Sequence, residues 1–170
     1  TIDELYSLDP DFISVTYGAG GSTKDKTVEI SSYIQNKYDL TSIAHITCIS
    51  STKNEVNNIL NSIKENNVDN VLALRGDYPK DSTINPLPSD RYNNSVELIE
   101  SIKRSSDLCV GAACYPEKHP DAKSLDDDID FLKRKMDAGA DFLVTQMFFD
   151  NGVFYDFYDK TQKKNINIPI

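Results

Sequence analysis

The sequence predicts an α/β fold of the (βα)8 TIM-barrel type, present as an incomplete barrel of about five and a half βα units. Three observations carry this reading. Six short apolar runs of strand length alternate with segments of helical period throughout the 170 residues. The runs are apolar or β-branched along their length instead of strictly alternating, as parallel strands covered on both faces require. Their starts, at residues 12, 43, 71, 109, 142 and 166, recur about every 31 residues, a spacing that suits repeated right-handed crossovers. Eight such units need about 248 residues, close to the ~250 of a complete barrel.

The elements follow in order. Residues 12–16 (FISVT) are the first strand, and a weak apolar stripe predicts a helix over 23–38. The second strand is 43–47 (IAHIT). After it, Val56, Ile59, Leu60 and Ile63 fall at i, i+3, i+4 and i+7, and Thr52 with Glu55 forms a capping box, so a helix follows Thr52. The third strand is 71–75 (VLALR). Residues 78–91 hold three prolines and read as a long loop able to act as a lid. A helix over 95–103 and a strand at 109–114 (CVGAAC) come next. Ser124 caps a helix over 124–138, where Asp126, Asp127 and Asp128 meet free N–H groups and complement the helix dipole. A strand at 142–147 (FLVTQM), a helix over 153–163 and a sixth strand at 166–170 (INIPI) complete the pattern. No internal linker appears, so residues 1–170 read as a single domain, one partial barrel.

Composition excludes several function classes. Lys plus Arg is 18 against 27 Asp plus Glu, a net charge of -9 that is the wrong sign for gripping a phosphate backbone over a broad face. No run approaches the roughly 20 apolar residues of a membrane span, and TIDELYSLDP is not a secretory leader, so the chain is expected to be cytoplasmic. Cys48, Cys109 and Cys114 are odd in number, show no CxxC and sit in apolar surroundings; they read as reduced, buried and small. His45 and His119 are the two histidines, with no HxH or HExxH, which removes the usual ligands of a metal hydrolase. The missing initial Met and the apolar final residues suggest that both ends are cut.

Polar groups collect where the strands end: Thr16-Tyr17-Gly18, His45 with Thr47, Arg75-Gly76-Asp77, Tyr115-Pro116-Glu117 with His119, and Gln146 with Asp150. In parallel α/β folds the ligand crevice lies at that edge. Strand parity places His45 and Thr47 on one face with Cys48 opposite, and Arg75 together with Asp77. An ion pair bracing the barrel mouth accounts for Arg75 and Asp77 equally well. Residues 18–23 (GAGGST) resemble a dinucleotide-binding turn but lack its third glycine. Lys123, Lys133, Arg134 and Lys135 are the densest basic patch, which either meets an anionic ligand or is a solvated face with pairs such as Asp130 to Arg134. Phe148, Phe149, Phe154, Tyr155, Phe157 and Tyr158 read mostly as packing.

Six blocks, SVTYGAGGST, AHITC, ALRGD, YPEKHPDAKS, LKRKMDAGAD and TQMFFD, occur in the order and spacing of the methylenetetrahydrofolate reductases, and the chain resembles that family over essentially its whole length. The resemblance implies a flavoprotein barrel that takes hydride from NADH or NADPH onto FAD. It implies transfer of that hydride to 5,10-methylenetetrahydrofolate, making 5-methyltetrahydrofolate for methionine synthesis. A folate is then the small-molecule partner, and the protein is expected to be a homo-oligomer without nucleic-acid or membrane partners.

By the same resemblance, Thr16 in VTYG, His45 in AHITC, and Arg75, Gly76 and Asp77 in LRGD form the flavin-contacting set. Tyr115, His119 and Ala122 in YPEKHPDA, with Asp128 and Lys135 on the next helix, correspond to residues holding the ribityl, phosphate and adenosine portions of FAD. Lys135 then complements the pyrophosphate charge. Asp77 also corresponds to the carboxylate beside flavin and pterin, and Gln146 in TQMFFD to the amide that contacts pterin and nicotinamide in turn. Asp77 and Gln146 are therefore the catalytic and substrate-binding candidates. Asn93 stands where the family usually has a small residue and is taken as a backbone contact to the cofactor; Phe131 stands at a commonly polar position. Nothing before Phe12 matches the family's first-strand glutamate, its general acid, so this segment alone is expected to be inactive. Two other readings stay in view: a catalytically silent binding or regulatory remnant, and a flavin-free barrel lyase using Asp77 and His45 as base and acid.

Overall fold

The computed structural model describes residues 2–17, 24–78 and 86–170. Among these residues five strands form one all-parallel sheet: β1 Phe12–Val15, β2 Thr41–Thr47, β3 Asn70–Leu74, β4 Cys109–Cys114 and β5 Phe142–Thr145. Six helices accompany them: α1 Ile2–Tyr6, α2 Lys24–Tyr38, α3 Lys53–Glu65, α4 Ser95–Ser105, α5 Leu125–Asp137 and α6 Asn151–Lys163. Each strand pairs with the next in sequence, so the order never reverses as it does in a doubly wound sheet. Right-handed crossovers then put the connecting helices on one face, and the sheet is the half barrel that the 31-residue spacing predicts.

The two faces of the sheet differ. Rows formed by Ala44, Val71 and Val110, and by Ile46, Ala73, Ala112 and Leu143, lie in the main core with Val56, Leu98, Ile99 and Ile129 from the helices. The opposite, inner face carries the row His45, Leu72, Gly111 and Phe142. A Cβ on Gly111 would lie 2.4 Å from Phe142 Cζ and 3.0 Å from Leu72 Cδ1, so glycine is what lets the Phe142 ring cross β4.

Local sequence sets the helix ends. Thr52, Asn94, Ser124 and Asp150 cap α3 to α6, and the Thr52–Glu55 box is closed in both directions. Helices α3, α5 and α6 terminate alike. Asn67, Gly139 and Asn165 adopt φ of 56°, 111° and 54°. Val68, Ala140 and Ile166 then donate back to the carbonyls of Ile63, Lys135 and Thr161 at 3.1, 3.1 and 3.0 Å, the Schellman arrangement. Each of those three residues is buried, so the cap also anchors the chain as it leaves the helix.

Several expectations change. Residues 166–170 form no strand; one backbone bond, Leu143 N to Pro169 O at 2.8 Å, ties them to β5, and Pro169 has no N–H to extend a ladder. Helix α1 had no signature in the sequence; its Ile2 packs with Ile13 and Tyr38 against Val15, Ile34 and Leu40. The pair Asp130 to Arg134 gives way to a clamp between α5 and the end of α6, with Lys164 on Asp130 and Lys160 on Asp126, both at 2.5 Å. The glycine cluster at 18–23 and residues 79–85 of the proline loop lie outside the described residues. Among the described residues no helix is long and apolar enough to cross a membrane.

Gly111→Ala is expected to lower stability by about 1–3 kcal/mol, because Phe142 and Leu72 must both yield to the added methyl. Phe142→Leu in the same chain should recover part of that loss. Chemical denaturation of the full-length protein checks it, and an unchanged midpoint for Gly111→Ala would contradict the packing described.

Candidate active site

The exits of β2 and β3 are tied together at one carbonyl. Arg75 O accepts from Cys48 N at 3.2 Å and Ile49 N at 2.9 Å, with the Cys48 thiol 3.7 Å away. Gly76 follows with φ 85°, and a Cβ there would lie 2.9 Å from Thr47 Cβ, so only glycine lets this turn press on the end of β2. The strand ends at Leu74, and the positive φ of Gly76 turns the chain between Arg75 and Asp77. Asp77 is exposed beyond the turn, and Arg75 engages the next loop.

The ion pair at the mouth exists, with a different carboxylate. Arg75 Nε donates to Gly76 O at 3.1 Å, Nη1 donates to Asp121 Oδ2 at 2.8 Å, and the guanidinium lies 4.9 Å from the Tyr78 ring. The hydrogen bond from Arg75 is the largest influence holding the Asp121 carboxyl below the usual carboxylate range. Asp121 N–H donates to His119 Nδ1 at 3.0 Å, which makes neutral His119 the Nε2–H tautomer. His119 N–H donates to Asp128 Oδ2 at 2.8 Å, and its ring stands edge-on to Tyr115 at 4.6 Å. Ala122 closes the loop, its N–H on His119 O at 3.0 Å and its carbonyl accepting from Lys118 Nζ at 2.6 Å.

Helix α5 delivers the buried cation. Ser124 accepts from Asp127 N at 3.1 Å and fixes the start of α5; Asp128 and Lys135, two turns apart, then share a face. Lys135 is 6% exposed, and its Nζ donates to Ala113 O at 2.7 Å. The ammonium lies 5.3 Å from the Phe131 ring and 6.0 Å from the Tyr115 ring. Among the described residues no carboxylate is within ion-pair distance of it. Burial pushes its pKa down, with Asp128 acting in the opposite direction. The basic cluster of the sequence is therefore not one surface patch: Lys133 pairs with Asp137, Arg134 lies over Phe131, and Lys135 turns inward.

The remaining candidates lie on other strands and loops. His45 is half-buried on the inner face of β2, and burial lowers its pKa, favouring neutral imidazole. Thr16 is exposed at the exit of β1, its carbonyl accepting from the Thr27 hydroxyl at 3.1 Å. Gln146 is exposed, and its N–H donates to Cys114 O at 2.7 Å, extending the pairing of β5 by one residue. Asn93 commits its N–H to Glu97 Oε2 at 2.9 Å, so any backbone contact from it to a cofactor runs through its carbonyl. The neighbouring Asn94 O lies 3.7 Å from the Cys48 thiol, beside the exits of β2 and β3. Burial pushes the Cys48 and Cys114 thiols up to about 12, which argues against a nucleophilic role, while Cys109 is only partly buried. Phe148 stacks on Phe154 at 5.0 Å and Phe157 is buried, so these aromatics pack, whereas Phe149 is exposed.

Asp121 is the residue that the sequence reading missed. Its signal was present, an aspartate two residues after His119 in a loop dense with titratable groups. Lys135 and Arg75 together suit the anionic groups of a nucleotide cofactor. Lys135 offers a buried positive charge answered by one carbonyl and two ring faces, an environment that an anionic oxygen would complete. Arg75 adds a second cation.

The family model described as methylenetetrahydrofolate reductase matches residues 1–170. The 5,10-methylenetetrahydrofolate reductase of Escherichia coli is 38% identical over 170 residues, covering 100% of this chain and 55% of its own length; that of Salmonella typhimurium is 37% identical with the same coverage. Methylenetetrahydrofolate reductase (NADH) 1 of Arabidopsis thaliana is 36% identical over 180 residues, covering 99% of this chain and 30% of its own length. The chain thus spans about half the length of these bacterial relatives and less of the plant one. Among solved structures, a 2,3-dimethylmalate lyase of the PEP mutase/isocitrate lyase superfamily aligns with a TM-score of 0.65 at 14% identity, covering 98% of this chain and 58% of that one. An identity that low speaks for the fold alone. Matched to the family model from end to end, and to relatives of that name at 36–38% identity, the chain belongs to the methylenetetrahydrofolate reductase family.

Proposed function

We propose that the full-length protein reduces 5,10-methylenetetrahydrofolate to 5-methyltetrahydrofolate, with hydride passing from NADH or NADPH through bound FAD. The observation that carries this reading is the buried Lys135 ammonium, which lacks a carboxylate partner among the described residues and sits against Tyr115 beside the loop that holds Arg75. Bound FAD supplies the two-electron carrier between nicotinamide and folate.

The residues of the chain bind and bias. Lys135 would meet the pyrophosphate from within the fold, and Arg75 would meet the flavin from the mouth. Gly76 keeps the β3 turn free of a side chain where it touches β2. Asp77, exposed just past that turn, places a fixed negative charge that stabilises the cationic iminium formed as the methylene bridge of the folate opens. Burial keeps His45 neutral, so it adds no competing positive charge. Gln146, at the end of β5, offers an amide with both a donor and an acceptor, suited to pterin and nicotinamide in alternation.

The purified full-length protein is expected to be yellow, to bleach with NADH or NADPH, and to recover its colour with 5,10-methylenetetrahydrofolate. A colourless protein that takes up no FAD would sink the proposal. Asp77→Asn should slow folate reduction by about 100-fold while slowing nicotinamide oxidation much less, because the charge it removes acts on the folate cation. Stopped-flow measurement of the two half-reactions decides this, and equal losses in both would contradict the role given to Asp77.

A further inference from the structure

We propose that Asp121 is a positioning residue for the cofactor: it orients the Arg75 guanidinium and couples it to the His119 loop, so that FAD meets a cation already in place. The proposal deepens the flavin reading above and rests on it.

Arg75 is held on three sides. Gly76 O takes Nε, Asp121 takes Nη1, and Tyr78 lies under the guanidinium, while Nη2 makes no hydrogen bond among the described residues. That nitrogen is the donor edge left for a ligand oxygen. The side chains of Arg75 and Asp121 are 26% and 60% exposed. A pair so open to solvent adds little to fold stability, so orientation is the effect that remains. Ordering a long, flexible side chain before the ligand arrives removes that cost from binding.

Asp121 is itself fixed from the other side. Its N–H donates to His119 Nδ1 at 3.0 Å, and the N–H of His119 is held by Asp128 at 2.8 Å. One aspartate therefore joins the β3 exit to the loop between β4 and α5, and both residues it joins are cofactor candidates. A carboxylate serving only to neutralise Arg75 would need no such backbone anchor.

The test is a titration of the full-length apoprotein with FAD, followed by flavin fluorescence, for the parent, Asp121→Ala, Asp121→Glu, Arg75→Gln and the Asp121→Ala/Arg75→Gln double variant. Asp121→Ala is expected to weaken FAD binding about three- to tenfold with an unchanged melting temperature. Asp121→Glu should restore most of the affinity, and Asp121→Ala should add nothing once Arg75 is replaced. Binding as tight as the parent's, or tighter, would overturn the positioning role. Losses that add in the double variant, or that track a lowered melting temperature, would assign Asp121 to structure alone and overturn it as well. A parent protein that binds no FAD instead overturns the functional reading, and this inference with it.

Discussion

One buried charge organises the mouth of the half barrel. An ammonium taken out of water costs several kcal/mol unless it is compensated, and the described residues compensate Lys135 with one carbonyl, two aromatic faces and the more distant charge of Asp128. The helix that carries it is defined at both ends by the sequence. Ser124 sets where α5 begins, and Gly139, at φ 111°, sets where it stops. The bond that closes the C-terminus, Ala140 N to Lys135 O at 3.1 Å, belongs to Lys135 itself. Its backbone ends the helix while its side chain reaches β4. A shift of α5 by one residue would break both connections.

The sheet makes that charge useful. Because every strand is parallel and neighbours its successor, all strand exits lie on one edge. Arg75 O draws the exits of β2 and β3 together, Gly76 permits the contact with Thr47, and the Arg75–Asp121–His119–Asp128 chain carries the connection to α5. Cations on both sides of the loop between β4 and α5 then stand against a chain of net charge -9, which keeps them a local exception. The two ion pairs between α5 and the α6 end support the same helix from outside, where they are exposed and contribute modestly.

Much of this was legible in the sequence, for physical reasons that differ by element. The Thr52–Glu55 box and the stripe through Val56, Leu60 and Ile63 are local signals and match α3. The repeat of about 31 residues predicts sequential parallel strands because each crossover needs a helix of similar length. Residues 166–170 misled because an apolar run does not reveal whether a neighbour is there to pair with, and Pro169 lacks a donor. The period of two reaches only to Leu74, because one positive φ, at Gly76, ends the extended backbone between Arg75 and Asp77. Asp121 carries a local signal, two residues after His119, but its pairing with Arg75 spans 46 residues, which no periodicity covers. Of the basic cluster, only burial separates Lys135 from Lys133 and Arg134, and burial depends on where α5 packs.

The most direct measurement is the affinity of the full-length apoprotein for FAD when Lys135 is replaced by Met, which fills the space of the lysine stem out to Cε and removes the charged end. The account predicts that Lys135→Met folds with stability at least equal to the parent's, since a buried charge is lost, while FAD binding weakens by about tenfold or more. A folded Lys135→Met protein that binds FAD as tightly as the parent would contradict the claim that this buried ammonium is the anchor of the cofactor site.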